Sequence, residues 1–397
     1  MDFRLTDEQL ARRKEFFEVC SELERQRPEG FCFSSIESRY DTDEGWAYHL
    51  RCAKEFASRG WLTLGWPSEH GGQGTIMDRV LLAEARGYYD VPGVDFMGLE
   101  LLAPTLLAMA SEEIKREFLP GIASGDTMWT QMWSEPNAGS DLASLNTSAM
   151  RNGDEYILNG QKIWITGAHR AHWAFALVRT DPNAQRKQDG LTMMLFDMKT
   201  PGITVNPLLF MDGGHFYTEV FLDDVHVPVR QIVGEENKGW AVTQVTSGFE
   251  RSNLEAIMAM QRQLDDLVEY CNGTKVKGEP LAKNPLIRNR LAEMASELYA
   301  ARTLAYRIAD TQIKKEMAPF DASAVKVFSG ELQTRLACVA ADILGPYYQV
   351  GGSKWARFNG HYEKWYHQCF RLNISMGTNE IQRNIIAWYG LGLTRMK

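Results

Sequence analysis

Two side chains near the middle of the chain have the types and spacing to hold a flat ring. In Gln161-Lys162-Ile163-Trp164-Ile165-Thr166 a strand's period of two puts Ile163 and Ile165 on one face and Trp164 and Thr166 on the other. The indole can pack on a heteroaromatic ring while the hydroxyl reaches a nitrogen on its edge. The same pair also suits a half-buried strand with a core Trp. Upstream, Trp133-Ser134-Glu135-Pro136-Asn137-Ala138-Gly139-Ser140-Asp141 follows an apolar strand at 128–133. Its glycine lets backbone approach a ligand and its serines offer hydroxyls, as in loops that hold polar or phosphorylated molecules. Asn159-Gly160 reads as a hairpin turn between this loop and the Trp-Ile-Thr strand.

The loop, the turn and the Trp-Ile-Thr strand together resemble the flavin-binding middle domain of the acyl-CoA dehydrogenase family. The resemblance spans nearly the whole chain, and "WPSEHGGQG" and "SEEIKREFLPGIASGD" match the segments that lead into the flavin loop. It implies an FAD-dependent enzyme that removes two hydrogens from an acyl-CoA thioester and passes electrons to an electron-transfer flavoprotein. That chemistry needs a base for the α proton and a flavin ring to accept the β hydride. A carboxylate suits the base role, since an apolar pocket raises its pKa when substrate excludes water.

In much of the family the base precedes a Gly-Thr near the C-terminus, but here that position is Met376, before Gly377-Thr378. A thioether cannot take a proton. Isovaleryl- and long-chain-type relatives carry the base on an earlier helix in a Glu-Arg pair, which matches Glu250 and Arg251 in "SGFERSNLEAIM". Glu250 is therefore the expected base. Glu-Arg is also a common dipeptide, and some relatives carry it without using it. Asp95 is an outside candidate, and Glu380 a poor one because its family counterpart faces the adenosine side of the cofactor. By resemblance, Met132, Ser134, Trp164 and Thr166 meet the flavin ring, and Thr378 and Glu380 touch the rest of FAD. Ser140 would lie near the CoA moiety and Arg251 near the acyl or pantetheine chain.

A second departure concerns contacts that family homo-oligomers lend to a neighbour's FAD. An Arg-x-x-Phe-Gly segment reads Thr274-Lys275-Val276-Lys277-Gly278 here, and a Gln with a Gly-Gly pair reads Asp342-Ile343-Leu344-Gly345-Pro346. Losing a guanidinium that pairs with pyrophosphate, and placing a carboxylate where the Gln would be, disfavours a dianionic ligand. The chain keeps the contacts to its own FAD and lacks those for a neighbour. An α2β2 heteromer with a homologous partner subunit is expected, as in relatives that act on bulky thioesters such as steroid side chains; a homo-oligomer binding FAD by other contacts is the alternative.

The elements that must position these residues fall into three stretches. Residues 1–125 are mostly helical: a Thr6 to Gln9 capping box opens a helix carrying Leu10, Phe16, Phe17 and Leu23, and helices follow at 44–58, 78–89, 99–110 and 112–119. Residues 126–237 hold short β runs between turns, at 174–179, 192–197, 202–207 and 218–225. Residues 238–397 return to helical stripes, the first through Val242, Val245, Phe249, Leu254, Ile257 and Met258, with others at 285–314, 322–344 and 377–389. The fold class expected is mainly α with a central β domain: an N-terminal helical domain, a middle β-barrel-like domain and a C-terminal four-helix bundle.

Composition is that of a small acidic soluble enzyme and excludes much else. The 397 residues can bury two or three packed units, and a net charge of −8 argues against a nucleic-acid surface. The six cysteines, at 20, 32, 52, 271, 338 and 369, show no paired spacing, so neither zinc nor a disulfide framework is indicated. No apolar N-terminal leader and no long uncharged apolar run occurs, giving the expectation of a cytoplasmic protein without membrane spans. Two other functions stay open: a non-catalytic partner subunit, with Met376 as a sign of lost chemistry, and a flavin oxidase, monooxygenase or desulfinase on the same fold.

Overall fold

The computed structural model describes residues 4–28, 39–249, 253–314, 316 and 319–395. Five helices come first: α1 Asp7–Arg25, α2 Asp43–Ser58, α3 Ile76–Tyr89, α4 Ala103–Met109 and α5 Glu112–Ala123. Eight strands follow: β1 Trp129–Met132, β2 Ser148–Asn152, β3 Glu155–Thr166, β4 Trp173–Arg179, β5 Leu191–Asp197, β6 Ile203–Pro207, β7 Tyr217–Pro228 and β8 Ile232–Val233. The rest is helical apart from a hairpin: α6 Gly239–Phe249, α7 Leu254–Gly273, β9 Lys275–Val276, β10 Glu279–Pro280, α8 Pro285–Ile313, α9 Pro319–Leu344, α10 His361–Gln368, α11 Arg371–Ile374 and α12 Asn379–Ile385. This is the expected order of N-terminal helices, central β structure and C-terminal helices.

By contacts the chain forms two units. One comprises α2, α4, α5, the eight strands and α6. Its sheet runs β6-β7-β3-β2-β4-β5-β8, with β1 added parallel to β4. Strands β3 and β7 are the long central pair, and inward residues such as Tyr156, Leu158, Ile165, Val220, Leu222 and Val225 make the core. The other unit gathers α1, α3 and everything from α7 onward around Leu254, Leu264, Leu267, Leu298, Ala305, Leu332, Leu336 and Trp365. Its α1 opens with the expected capping box: Thr6 Oγ1 accepts the Gln9 N–H, and the Gln9 side chain accepts the Thr6 N–H at 3.0 Å.

Three local readings of the sequence are corrected. The β2–β3 turn is Gly153-Asp154, not Asn159-Gly160, which lies inside β3. Gly160 is needed there because a Cβ would stand 2.7 Å from the Thr147 Cα. The alternation around Trp164 is also broken. From Lys162 to Ile165 β3 advances three residues while β7 advances two, from Val220 to Thr218, so β3 carries a bulge. Lys162 and Ile165 both turn inward, Ile163 is half-buried, and Trp164 takes a positive φ of 63°. Lastly, the stripe from Val242 to Met258 belongs to two helices: Asn253, at φ 50°, opens α7 separately from α6.

Candidate functional site

The bulge delivers the Trp164 side chain outward. Its indole is 57 % exposed, with Phe210 and Tyr217 edge-on at 6.5 and 6.4 Å between ring centres. A positive φ in a bulky residue is a strained backbone state, and an exposed indole gains little by burial to offset it. Such a side chain is displayed rather than packed.

The Ser134 loop lies against the same stretch of β3. The Ile163 N–H donates to the Ser134 carbonyl at 3.0 Å, and Thr130 Oγ1 donates to the Thr166 carbonyl at 2.8 Å. Ser134, Trp164 and Thr166 are thus brought together. Met132 is adjacent in β1 but fully buried in the sheet core, so its side chain faces inward and only its backbone can address a ligand. Gln131 in β1 and Trp133 just after it flank Met132, and Gln131 Nε2 and Trp133 Nε1 are buried with no partner among the described residues. Sequence reasoning missed these two donors; their only signal was alternation on β1 with Met132. A displayed indole and nearby hydroxyls fit a flat ring with polar atoms on its edge, as an isoalloxazine has.

Beneath the loop is a second feature absent from the sequence reading. Lys162, wholly buried, donates to Glu135 Oε1 at 2.9 Å, the Leu177 carbonyl at 2.8 Å and the Trp133 carbonyl at 3.1 Å. Burial pushes the ammonium down to about 8, against the pull of Glu135. Burial also acts to raise the Glu135 carboxyl, but Lys162 together with the Thr147 and Asn146 donors holds it below the usual range. Ser140, at the outer part of the same loop, is exposed.

Asp95 sits elsewhere in this unit, only 7 % exposed. Its Oδ2 accepts the Trp129 N–H at 2.8 Å and the Gly98 N–H at 3.1 Å, capping the π-helical turn Phe96–Leu102. Burial raises its carboxyl from 3.8 to about 6, against the Trp129 N–H, Arg39 and the Gly98 N–H. Because this folded value lies above the unfolded one, the native chain holds the extra proton between them, and stability falls as pH rises through that window. Asp95→Asn keeps an acceptor oxygen for both N–H groups and loses the titration. Relative to this variant, the wild type loses up to about 3 kcal/mol between about pH 4 and pH 7 in urea denaturation. Parallel pH profiles would refute this.

In the other unit the segment around Met376 is strained: Met376 has φ 58° and Gly377 φ 75°, and the Met376 carbonyl accepts Gln382 Nε2 at 2.8 Å. Thr378 caps α12, accepting the Ile381 N–H at 3.2 Å. Glu380 is exposed in the first turn, where its own N–H and the Thr378 hydroxyl hold its carboxyl below the usual value. A buried network supports this turn: Lys326 Nζ donates to Asn379 Oδ1 at 2.8 Å, and Asn379 Nδ2 to Asn373 Oδ1 at 3.0 Å. Lys277 and Gly278, both at positive φ, form the exposed turn of the β9–β10 hairpin just after Thr274 ends α7. Asp342 is exposed and ion-paired with Arg290, and Pro346 follows Gly345 at φ 56°. Glu250 and Arg251 lie outside the described residues. Among the described residues no cluster of three or more His, Cys, Asp or Glu could hold a metal, and no helix is long and apolar enough to cross a membrane.

Comparison with known proteins covers the whole chain. Residues 25–126, 130–225 and 237–389 match, in turn, the N-terminal, middle and C-terminal domains of acyl-CoA dehydrogenase. Acyl-CoA dehydrogenase FadE26 of Mycobacterium tuberculosis is 34% identical over 370 residues, 91% of this chain and 91% of that protein. A chain of the ChsE4-ChsE5 complex from Mycobacterium tuberculosis superposes with a TM-score of 0.88 at 32% identity, covering 100% of both chains. A chain of the Tcur3481-Tcur3483 steroid ACAD gives 0.89 at 29%, again over 100% of both.

Proposed function

This chain belongs to the acyl-CoA dehydrogenase family, and from that premise we propose that it is the catalytic chain of an FAD-dependent enzyme that introduces a Cα=Cβ bond into a bulky acyl-CoA. The observation that carries the flavin reading is the Trp164 indole displayed at a strained bulge beside the Ser134 loop. When bound, FAD supplies the acceptor for the β hydride. Glu250 takes the α proton; Trp164 and Thr166 hold the ring with Ser134 and the Met132 backbone. Thr378 and Glu380 address the rest of the cofactor. Ser140 lies toward CoA and Arg251 toward the acyl or pantetheine chain. An electron-transfer flavoprotein is the proposed acceptor, and the domains are proposed to run 1–125, 126–237 and 238–397.

A heteromer is proposed with it. The ChsE4-ChsE5 complex and the Tcur3481-Tcur3483 steroid ACAD are each named as two different chains, which supports the partner subunit, and the second's being named a steroid ACAD supports a steroid-like substrate. The surface pair Asp342–Arg290 supports it too, since the carboxylate both repels a pyrophosphate and occupies the nearby guanidinium. Expressed with a homologous subunit encoded beside it, the chain is expected to yield yellow α2β2 protein with half a flavin per chain, read from absorbance and mass. A yellow homo-oligomer with one flavin per chain would overturn the heteromer. Met376 at the usual base position favours one second reading, a non-catalytic subunit, which requires that the assembly's flavin not bleach through Glu250 when acyl-CoA is added.

A further inference from the structure

We propose that the buried Glu135–Lys162 pair is the positioning device of the ring site, holding the Ser134 loop, the Ser140 loop and the Trp164 bulge in one arrangement. The proposal rests on the flavin reading above. An ammonium has three donors, and Lys162 uses all of them inside the protein. One goes to the carbonyl immediately before Ser134. Another goes to Leu177, in the fully buried middle of β4, which anchors the junction to the sheet. Lys162 itself lies two residues before Trp164 and starts the bulge. The loop side and the strand side of the ring site are thereby tied to one nitrogen.

Glu135 closes the outer loop in the same way. Its Oε1 accepts the Thr147 N–H at 2.9 Å and its Oε2 the Asn146 N–H at 2.6 Å. Its own N–H and carbonyl pair with Ala138 at 3.1 and 3.0 Å. The segment 136–145, which carries Ser140, is thus fastened to one residue at both ends, by the Glu135 backbone at the near end and its carboxylate at the far end. A buried ion pair is weak evidence for stability, because well-packed apolar residues often replace it without loss. An apolar pair would fill the space, but could not tie the Trp133 carbonyl or the two N–H groups at 146 and 147.

That difference separates positioning from folding. In the flavin-bearing assembly, the double variant Glu135→Gln/Lys162→Met leaves no lone buried charge and is expected to fold, with a lowered melting point because the Trp133 and Leu177 carbonyls and the Asn146 N–H lose their partners. Its FAD dissociation constant should rise on the order of tenfold or more, the usual cost of losing a group that orients a binding residue. The visible flavin spectrum should shift, and amide hydrogen exchange at 136–147 should quicken even in flavin-free protein. A folded double variant with wild-type FAD affinity and spectrum overturns the proposal. Should the double variant not fold, Glu135→Gln alone decides: it keeps an acceptor for Lys162 but turns an amide toward the Asn146 N–H, so unchanged FAD affinity in folded protein again overturns it. Wild-type assembly that binds no FAD fails the flavin reading itself, a result seen before any variant is compared.

Discussion

Glu250→Gln is expected to lower kcat by about 10²–10⁴-fold while leaving the bound-flavin absorbance unchanged. Gln matches Glu in size, so cofactor and substrate binding should persist, but an amide cannot accept the α proton at neutral pH. The assignment follows from Met376, which puts a thioether at the position where much of the family places a carboxylate. KM should move little, because the lost interaction is made in the transition state rather than in the bound substrate. Stopped-flow reduction of flavin by acyl-CoA reads the step directly. If bleaching proceeds near the wild-type rate, Glu250 is not the base. Asp95 would be a poor substitute, since its Oδ2 already receives two backbone N–H groups in a buried cap.

Gly87→Leu is expected to destabilise the chain by about 3 kcal/mol or more, the upper end for overpacking, because the obstacle is backbone. Gly87 lies on α3 where the first turn of α7 presses against it: a Cβ would stand 2.9 Å from the Glu255 Cα. Helices normally pack 8–10 Å apart, and a side chain here forces α3 and α7 to separate. The neighbouring Arg86–Glu255 bond at 3.1 Å would be strained by the same movement. Arg251 is only a few residues before α7, so KM for acyl-CoA should rise as well. Urea denaturation and steady-state kinetics test both effects. A stability change within about 0.5 kcal/mol, typical of an open surface site, would show that the helices are not in close contact there.

The sequence was most informative where the physics is local. The α1 capping box needs only Thr6 and Gln9, three residues apart, and it forms as read. The change from helical periodicity to short β runs and back set the order of the three stretches, because each element's apolar spacing reports its own period. The strand before Ser134 and the one through Trp164 were also visible, and the family resemblance rested on the Trp-Ile-Thr strand together with the Ser134 loop and the Asn159-Gly160 pair.

What misled was register, which no local pattern encodes. Asn159-Gly160 has ideal turn residues, yet the chain turns earlier at Gly153 and uses Gly160 to let Thr147 approach. Strict alternation puts Trp164 on one face with Thr166 and would have put Lys162 there too, but the bulge against β7 sends Lys162 inward and leaves Trp164 exposed. A lysine in an alternating strand reads as solvated until its three acceptors are known.

By itself, then, the sequence determined the order of the helical and β stretches and the residue types around a ring site, since these follow from spacing along one strand or helix. Only the tertiary structure decided how β3 meets β7 more than fifty residues away. That pairing turned a surface-looking Lys162 into the buried partner of Glu135 and lifted Trp164 out of the sheet. The physical reason is that a bulge and a buried ion pair are properties of two strands and a loop held together, and the energy that fixes them comes from contacts distant in sequence.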